Sequence, residues 1–168
     1  EERYIILLSA LKDLQNYDCP DTFKETVHKF IEHARNSSQE NLQVAALNTS
    51  RHLMADYTDD DYFKDLLKVM KLPEDKADFA DIEGSLFLID LKMGTHWVQK
   101  VANIELLLRY LNPDSENGSI MHLGMHLINL IKANESIYVR QRAGEGLLKI
   151  SSLMTYSQCN ELAVELFN

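Results

Sequence analysis

Apolar residues recur along the chain at steps of three and four, the period of a helix with one buried face. Tyr4, Leu7, Leu8, Leu11 and Leu14 predict a first helix over about residues 2–16. Pro20 suits an early helical position, and Phe23, Val27, Phe30, Ile31 and Ala34 continue from it as a second stripe. Asn36-Ser37-Ser38 breaks this helix, and Ser38 is placed to cap a third that carries Leu42, Ala46, Leu53 and Met54. Thr58 followed by Asp59-Asp60-Asp61 marks another start, because acids favour the positive end of the helix dipole; Tyr62, Phe63, Leu66, Leu67 and Met70 form its buried side.

Beyond Leu72-Pro73, the steps between Phe79, Ile82, Leu86, Ile89 and Met93 decide for helix over strand, with Gly94 as the stop. Val98 to Leu111 is the next helix, ended by Asn112-Pro113. Ile120 to Ile131 and residues 136–153 follow. Thr155, with Gln158 three residues on, opens the last helix in the form of a capping box. The chain is predicted to be all-α, with about nine helices and no strand.

One stretch is more specific. In Val139-Arg140-Gln141-Arg142-Ala143-Gly144-Glu145-Gly146-Leu147-Leu148-Lys149-Ile150, the residues Val139, Ala143, Leu147 and Ile150 share one helix face. A small residue at the second step lets a neighbouring helix come close. Leu42, Ala46, Ser50 and Leu53 repeat the spacing, and Val98, Ala102 and Leu106 match its first three positions. The anchors at 42, 98 and 139 lie 56 and 41 residues apart. The second interval suits a helical repeat of roughly 40–47 residues, and the helix near Asp61–Met70 would absorb the excess in the first.

The 139–150 run resembles the second helix of a HEAT repeat, in the form Val-Arg-x-x-Ala-x-x-x-Leu-x-x-Ile. The resemblance reaches its full motif once, with degenerate echoes elsewhere. It implies a HEAT- or armadillo-like α-α superhelix of stacked hairpins, none of which buries its apolar face alone. An irregular helical bundle is the alternative architecture. By the same resemblance Arg140 takes a structural role linking adjacent repeats. Gly84, Gly124, Gly144 and Gly146 fall inside expected helices, where each costs about 1 kcal/mol relative to alanine. They are read as points of tight helix packing, with tolerated surface glycines as the other reading.

The 26 acidic residues against 17 basic give a net charge of −9, which disfavours nucleic acid as a partner. No apolar run approaches the roughly 18 residues of a membrane span, so no membrane role is expected. Cys19 and Cys159 have no CxxC or Cys/His company and read as reduced thiols of a cytoplasmic protein. Sequons at Asn36, Asn48, Asn117 and Asn134 pull the other way, but Asn48 falls mid-helix, and the four are read as accidental. The chain opens without methionine and closes inside a helix, so residues 1–168 are read as one helical-repeat domain from a longer chain.

Candidate chemistry is sparse. His122 and His126, four apart, could set two imidazoles on one metal, but no carboxylate joins them, and the pair is read as a solvated polar face. Glu25-x-x-His28 has the form of a di-iron bundle motif without the second copy that chemistry needs. The His-Glu dipeptides of deoxyhypusine hydroxylases, which are HEAT-like, are missing, and the acidic balance disfavours the basic groove of HEAT-like DNA glycosylases. No phosphate-binding glycine loop, nucleophile elbow or calcium loop is present. No cofactor or metal is assigned. Trp97, in Gly94-Thr95-His96-Trp97-Val98, opens a helix; the pattern distantly resembles the tubulin-binding TOG variety of HEAT domain, while a core residue closing a hairpin is the other reading.

The expected role is therefore a non-enzymatic scaffold that binds another protein or other domains of its own chain. The alternative is a regulatory or substrate-positioning segment of a larger multidomain enzyme. A metal-dependent helical enzyme is a third reading. The candidate binding residues are Arg140, Gln141, Glu145 and Lys149, which the core face leaves outside, together with Trp97, His122 and His126. A basic or apolar partner segment would suit the acidic surface.

Overall fold

The computed structural model describes residues 1–72, 95–110 and 117–168, without the side chains of 117–119. Within these residues the chain is all-helical, with eight α-helices and no strand. They are α1 (Glu2–Leu11), α2 (Asp21–Arg35), α3 (Glu40–Leu53), α4 (Asp59–Val69), α5 (Trp97–Tyr110), α6 (Asn117–Lys132), α7 (Ile137–Ser151) and α8 (Tyr156–Phe167). The helix expected from Phe79 to Met93, Gly84 and the Asn112-Pro113 stop lie outside the described residues. The chain divides into two compact units, Glu1–Glu74 and Asp75–Asn168.

In the first unit α3 is the hub, packed against α1, α2 and α4. Its buried positions accordingly wrap around it: Leu42, Val44, Ala45, Ala46, Leu47, Thr49 and Ser50. Thr49 fastens α3 to α1. Its single hydroxyl proton has the Leu8 carbonyl at 2.7 Å and its own helix's Ala45 carbonyl at 3.0 Å. A second clamp joins the end of α2 to α4. The Tyr57 hydroxyl donates to Asp65 at 2.7 Å, Arg35 lies 3.5 Å from the same carboxylate, and the Arg35 guanidinium covers the Tyr57 ring. Burial first, and then this bond to Asp65, pushes the Tyr57 hydroxyl pKa well above its ordinary value.

Side-chain caps mark the starts of α4 and α8. Thr58 accepts from the Asp61 amide while Asp61 accepts from the Thr58 amide, a capping box that uses the third aspartate of the acidic run as more than a dipole partner. Thr155 and Gln158 form the same box at α8. α4 ends in a Schellman motif: the Leu72 amide reaches the Leu67 carbonyl, the Lys71 amide reaches Lys68, and Lys71 takes φ 56°.

Several expected details differ. The first α-helix stops at Leu11, and Lys12–Asn16 is a 3-10 turn. The core takes Ile5 and Leu8 from α1, leaving Tyr4 and Leu7 exposed. Five consecutive apolar residues, Tyr4 to Leu8, give periodicity nothing to choose between, so the contact with α3 chooses. In α2 the stripe Val27, Ile31 and Ala34 is buried, but Phe23, a turn earlier, is exposed. Ser38 does not cap α3: Gln39 holds the N-cap position with no side-chain bond, and Ser37 accepts from the Gln39 amide.

In the second unit α7 packs against α5 and α6, and α6 packs against α8. α5 is buried over most of its circumference and carries polar residues into that setting. Lys100 meets Glu135 at 2.6 Å, and Glu105 meets Arg142 of α7 at 2.5 Å. Buried charges in such positions need their partners: removing one member leaves the other desolvated and uncompensated.

Two of the in-helix glycines mark close approaches. A Cβ on Gly124 would stand 2.7 Å from a Leu162 methyl, which is how α8 comes down onto α6. A Cβ on Gly146 would meet Leu108 at 3.2 Å, Leu127 at 3.4 Å and Ile104 at 3.5 Å, where α5, α6 and α7 converge. Gly144 has nothing within 4 Å, so at that position tight packing is not the reason for the glycine. The core stripe of α7 is then Val139, Ala143, Gly146 and Ile150, with Leu147 only half-buried at its edge.

Candidate interaction surface

Ser136 begins the surface by capping α7, its hydroxyl accepting from the Val139 amide. With Val139, Ala143, Gly146 and Ile150 turned inward, α7 presents a second stripe two residues out of phase: Ile137, Gln141, Gly144 and Leu148. This stripe has the same 4, 3, 4 spacing. Ile137 is 65 % exposed and Leu148 75 % exposed, with open space over Gly144 between them. Two solvated aliphatic side chains, Ile137 and Leu148, thus share this outer stripe with Gln141 and with Gly144, which adds no side chain.

Arg140, Glu145 and Lys149 flank this stripe, and with Gln141 all four are exposed, as their place away from the core requires. Glu145 is engaged by Arg142 at 2.7 Å and by Gln141 at 3.4 Å. Arg140 and Lys149 pair with no other described residue. The border of the stripe is therefore locally cationic although the chain is acidic. Arg140, expected to link adjacent repeats, extends into solvent without such a contact among the described residues.

Trp97 sits at the first position of α5, half-buried, and stacks on Tyr138 of α7 with ring centroids 4.7 Å apart and planes 23° apart. The His96 ring lies tilted against the Trp97 indole, 5.6 Å centroid to centroid. Tyr138 remains 40 % exposed. The stack joins the starts of α5 and α7, so Trp97 is neither a closed core residue nor a free projection.

His122 and His126 lie elsewhere, on the outer side of α6, with ring centroids 4.8 Å apart. Glu25 and His28 are both exposed on α2 and belong to no metal-ligating group; among the described residues no cluster of three or more His, Cys, Asp or Glu is placed to hold an ion. Cys19 and Cys159 are free thiols. No described helix is long and apolar enough to cross a membrane. The sequon at Asn48 places its Thr49 and Ser50 in the buried part of α3, whereas Asn36 and Asn134 are exposed.

Tyr138, Ile137, Gly144 and Leu148 are the surface residues that reading the sequence missed. Their signal was present: the 4, 3, 4 stripe of Ile137 to Leu148 is as regular as the buried one. Which of two equally spaced stripes turns inward is decided by neighbours rather than by spacing. Compared with family models, curated proteins and solved structures, the chain matches none.

Proposed function

We propose that this chain is a non-enzymatic helical scaffold of HEAT or armadillo type, and that it binds a protein segment along the exposed face of α7. The segment belongs either to another protein or to a further domain of the same polypeptide. The observation that carries this reading is the pair of exposed aliphatic side chains Ile137 and Leu148 on the outer face of α7, with Arg140 and Lys149 exposed on the same helix and the Trp97–Tyr138 stack at its start. Apolar and aromatic groups at the centre with charge at the rim is the composition of a protein–protein contact surface. Trp, Tyr and Arg are the residues on which binding energy concentrates in such contacts. The stacked-hairpin reading is supported by next-but-one helices packing on each other within each unit: α1 on α3, α5 on α7, α6 on α8.

The partner suited to this face is an amphipathic helix with an apolar ridge and acidic flanks. An apolar ridge covers Ile137 and Leu148, and acids meet Arg140 and Lys149. This replaces the basic partner that net charge alone suggests. A photo-crosslinking residue placed at Leu148, compared with one placed at Tyr17, tests it in the native cell. Discrete adducts formed from 148, absent from 17 and lost on adding Arg140→Glu and Lys149→Glu, are expected. The same adducts from both positions, or none from 148, would count against the proposal. Adducts within one longer polypeptide would identify an intramolecular partner, as a regulatory segment of a multidomain enzyme requires.

A further inference from the structure

We infer that His122 and His126 form a solvent-facing chelate for a late divalent transition-metal ion, with Cu²⁺ held most tightly. This site is separate from the α7 surface and independent of the scaffold reading. The residues are one helical turn apart on α6. Ile120, Leu123, Leu127 and Ile128 are buried, so the rest of the helix is anchored and the histidine stripe faces outward, with His122 exposed and His126 half-buried. The backbone thus fixes the spacing of the two imidazoles before any ion arrives.

Their separation suits a shared ion. A metal about 2.0–2.1 Å from an imidazole nitrogen lies about 3.2 Å from that ring's centroid, along the line of the nitrogen lone pair. Two centroids 4.8 Å apart then subtend about 97° at the ion, between the square-planar and tetrahedral angles. The rings now stand edge to face, with planes 77° apart. Exposure of His122 leaves its imidazole room to turn about the Cβ–Cγ bond toward an ion shared with His126.

The chemistry of the donors selects the ion. Neutral imidazole is an intermediate ligand that suits copper, nickel and zinc, and among these the Irving–Williams order places Cu²⁺ first. Among the described residues no carboxylate or thiol completes a group of three ligands with the pair. A pair of imidazoles favours these ions over hard ones such as Mg²⁺ or Ca²⁺, which take oxygen ligands.

Titration of the whole chain with Cu²⁺, followed by calorimetry and electron paramagnetic resonance, tests the site. One Cu²⁺ per chain is expected, with hyperfine structure from two imidazole nitrogens. His122→Asn and His126→Asn should each weaken this binding at least about tenfold, whereas His28→Asn should leave it unchanged. Far-ultraviolet circular dichroism of each variant shows that the helix is retained, and His122, being exposed, is replaced without opening the core. Wild-type affinity in the doubly substituted chain, or a spectrum with at most one imidazole nitrogen, would overturn the inference.

Discussion

α3 and α7 carry the same apolar spacing, yet one is enclosed and the other keeps a free face. Leu42, Ala46, Ser50 and Leu53 in α3 stand in the register of Val139, Ala143, Leu147 and Ile150 in α7. α3 meets helices on three sides and closes its contact with α1 through a hydroxyl, Thr49 to Leu8. α7 meets α5 and α6 and closes its contacts through a missing side chain at Gly146. The spacing marks a core position in both. The number of neighbours determines whether a face stays exposed: α3 has no exposed residue from Glu40 to Leu53, whereas α7 keeps an exposed stripe.

Five substitutions sharpen this contrast. The largest effect is expected at Ala143, fully buried under the α5 and α6 contacts. Ala143→Leu should overpack the junction and lower stability by about 1–3 kcal/mol, read as a shift of the urea midpoint at constant slope. An unchanged midpoint would mean that α7 is held less closely than α3. Thr49→Val keeps the shape but removes the bond to Leu8, so about 1 kcal/mol should be lost. A smaller loss would make the α3 hub a matter of apolar burial alone.

Gly144→Ala should act in the opposite direction, raising stability by up to about 1 kcal/mol, because the site is open and alanine favours the helix. Gly124→Ala, by contrast, puts its Cβ 2.7 Å from a Leu162 methyl and should forfeit that gain. Equal effects at the two positions would erase the distinction between open and packed glycines. The smallest effect belongs to Tyr57→Phe, about 0.5 kcal/mol near neutral pH from the lost bond to Asp65. It also carries a pH signature. The folded state holds the Tyr57 proton above the ordinary value of 10.0, so above pH 10 the folded chain binds more protons than the unfolded one. Stability therefore declines as pH rises past 10, and this part of the decline should vanish in Tyr57→Phe.

Much of the local structure was readable from residue order. The caps at Thr58 and Thr155 use partners three residues away, so the residue types alone announce them. The buried side of α4 was readable too, because Tyr62, Phe63, Leu66 and Leu67 form an uncontested stripe. α1 was not, since its apolar residues run on consecutively. Leu147 was taken for a core position over Gly146 because pattern reading counts apolar side chains, and a glycine that admits three neighbouring side chains contributes none.

The surface divides in the same way. His122 and His126 were visible as a pair because one helical turn brings them together whatever else the chain does. Tyr138 as the partner of Trp97 was invisible, since the two lie 41 residues apart and meet only where α5 and α7 begin side by side. By itself, then, the sequence determined the all-helical class of the described residues, the capped starts at Thr58 and Thr155, and the apolar spacings. These rest on interactions within a few residues, which any chain with this order makes. Tertiary structure alone decided which of the two stripes on α7 is buried, which glycines are packed, and that Trp97 stacks on Tyr138. Those follow from the neighbours each helix acquires, and burial of apolar area has no preferred direction until the neighbours are in place.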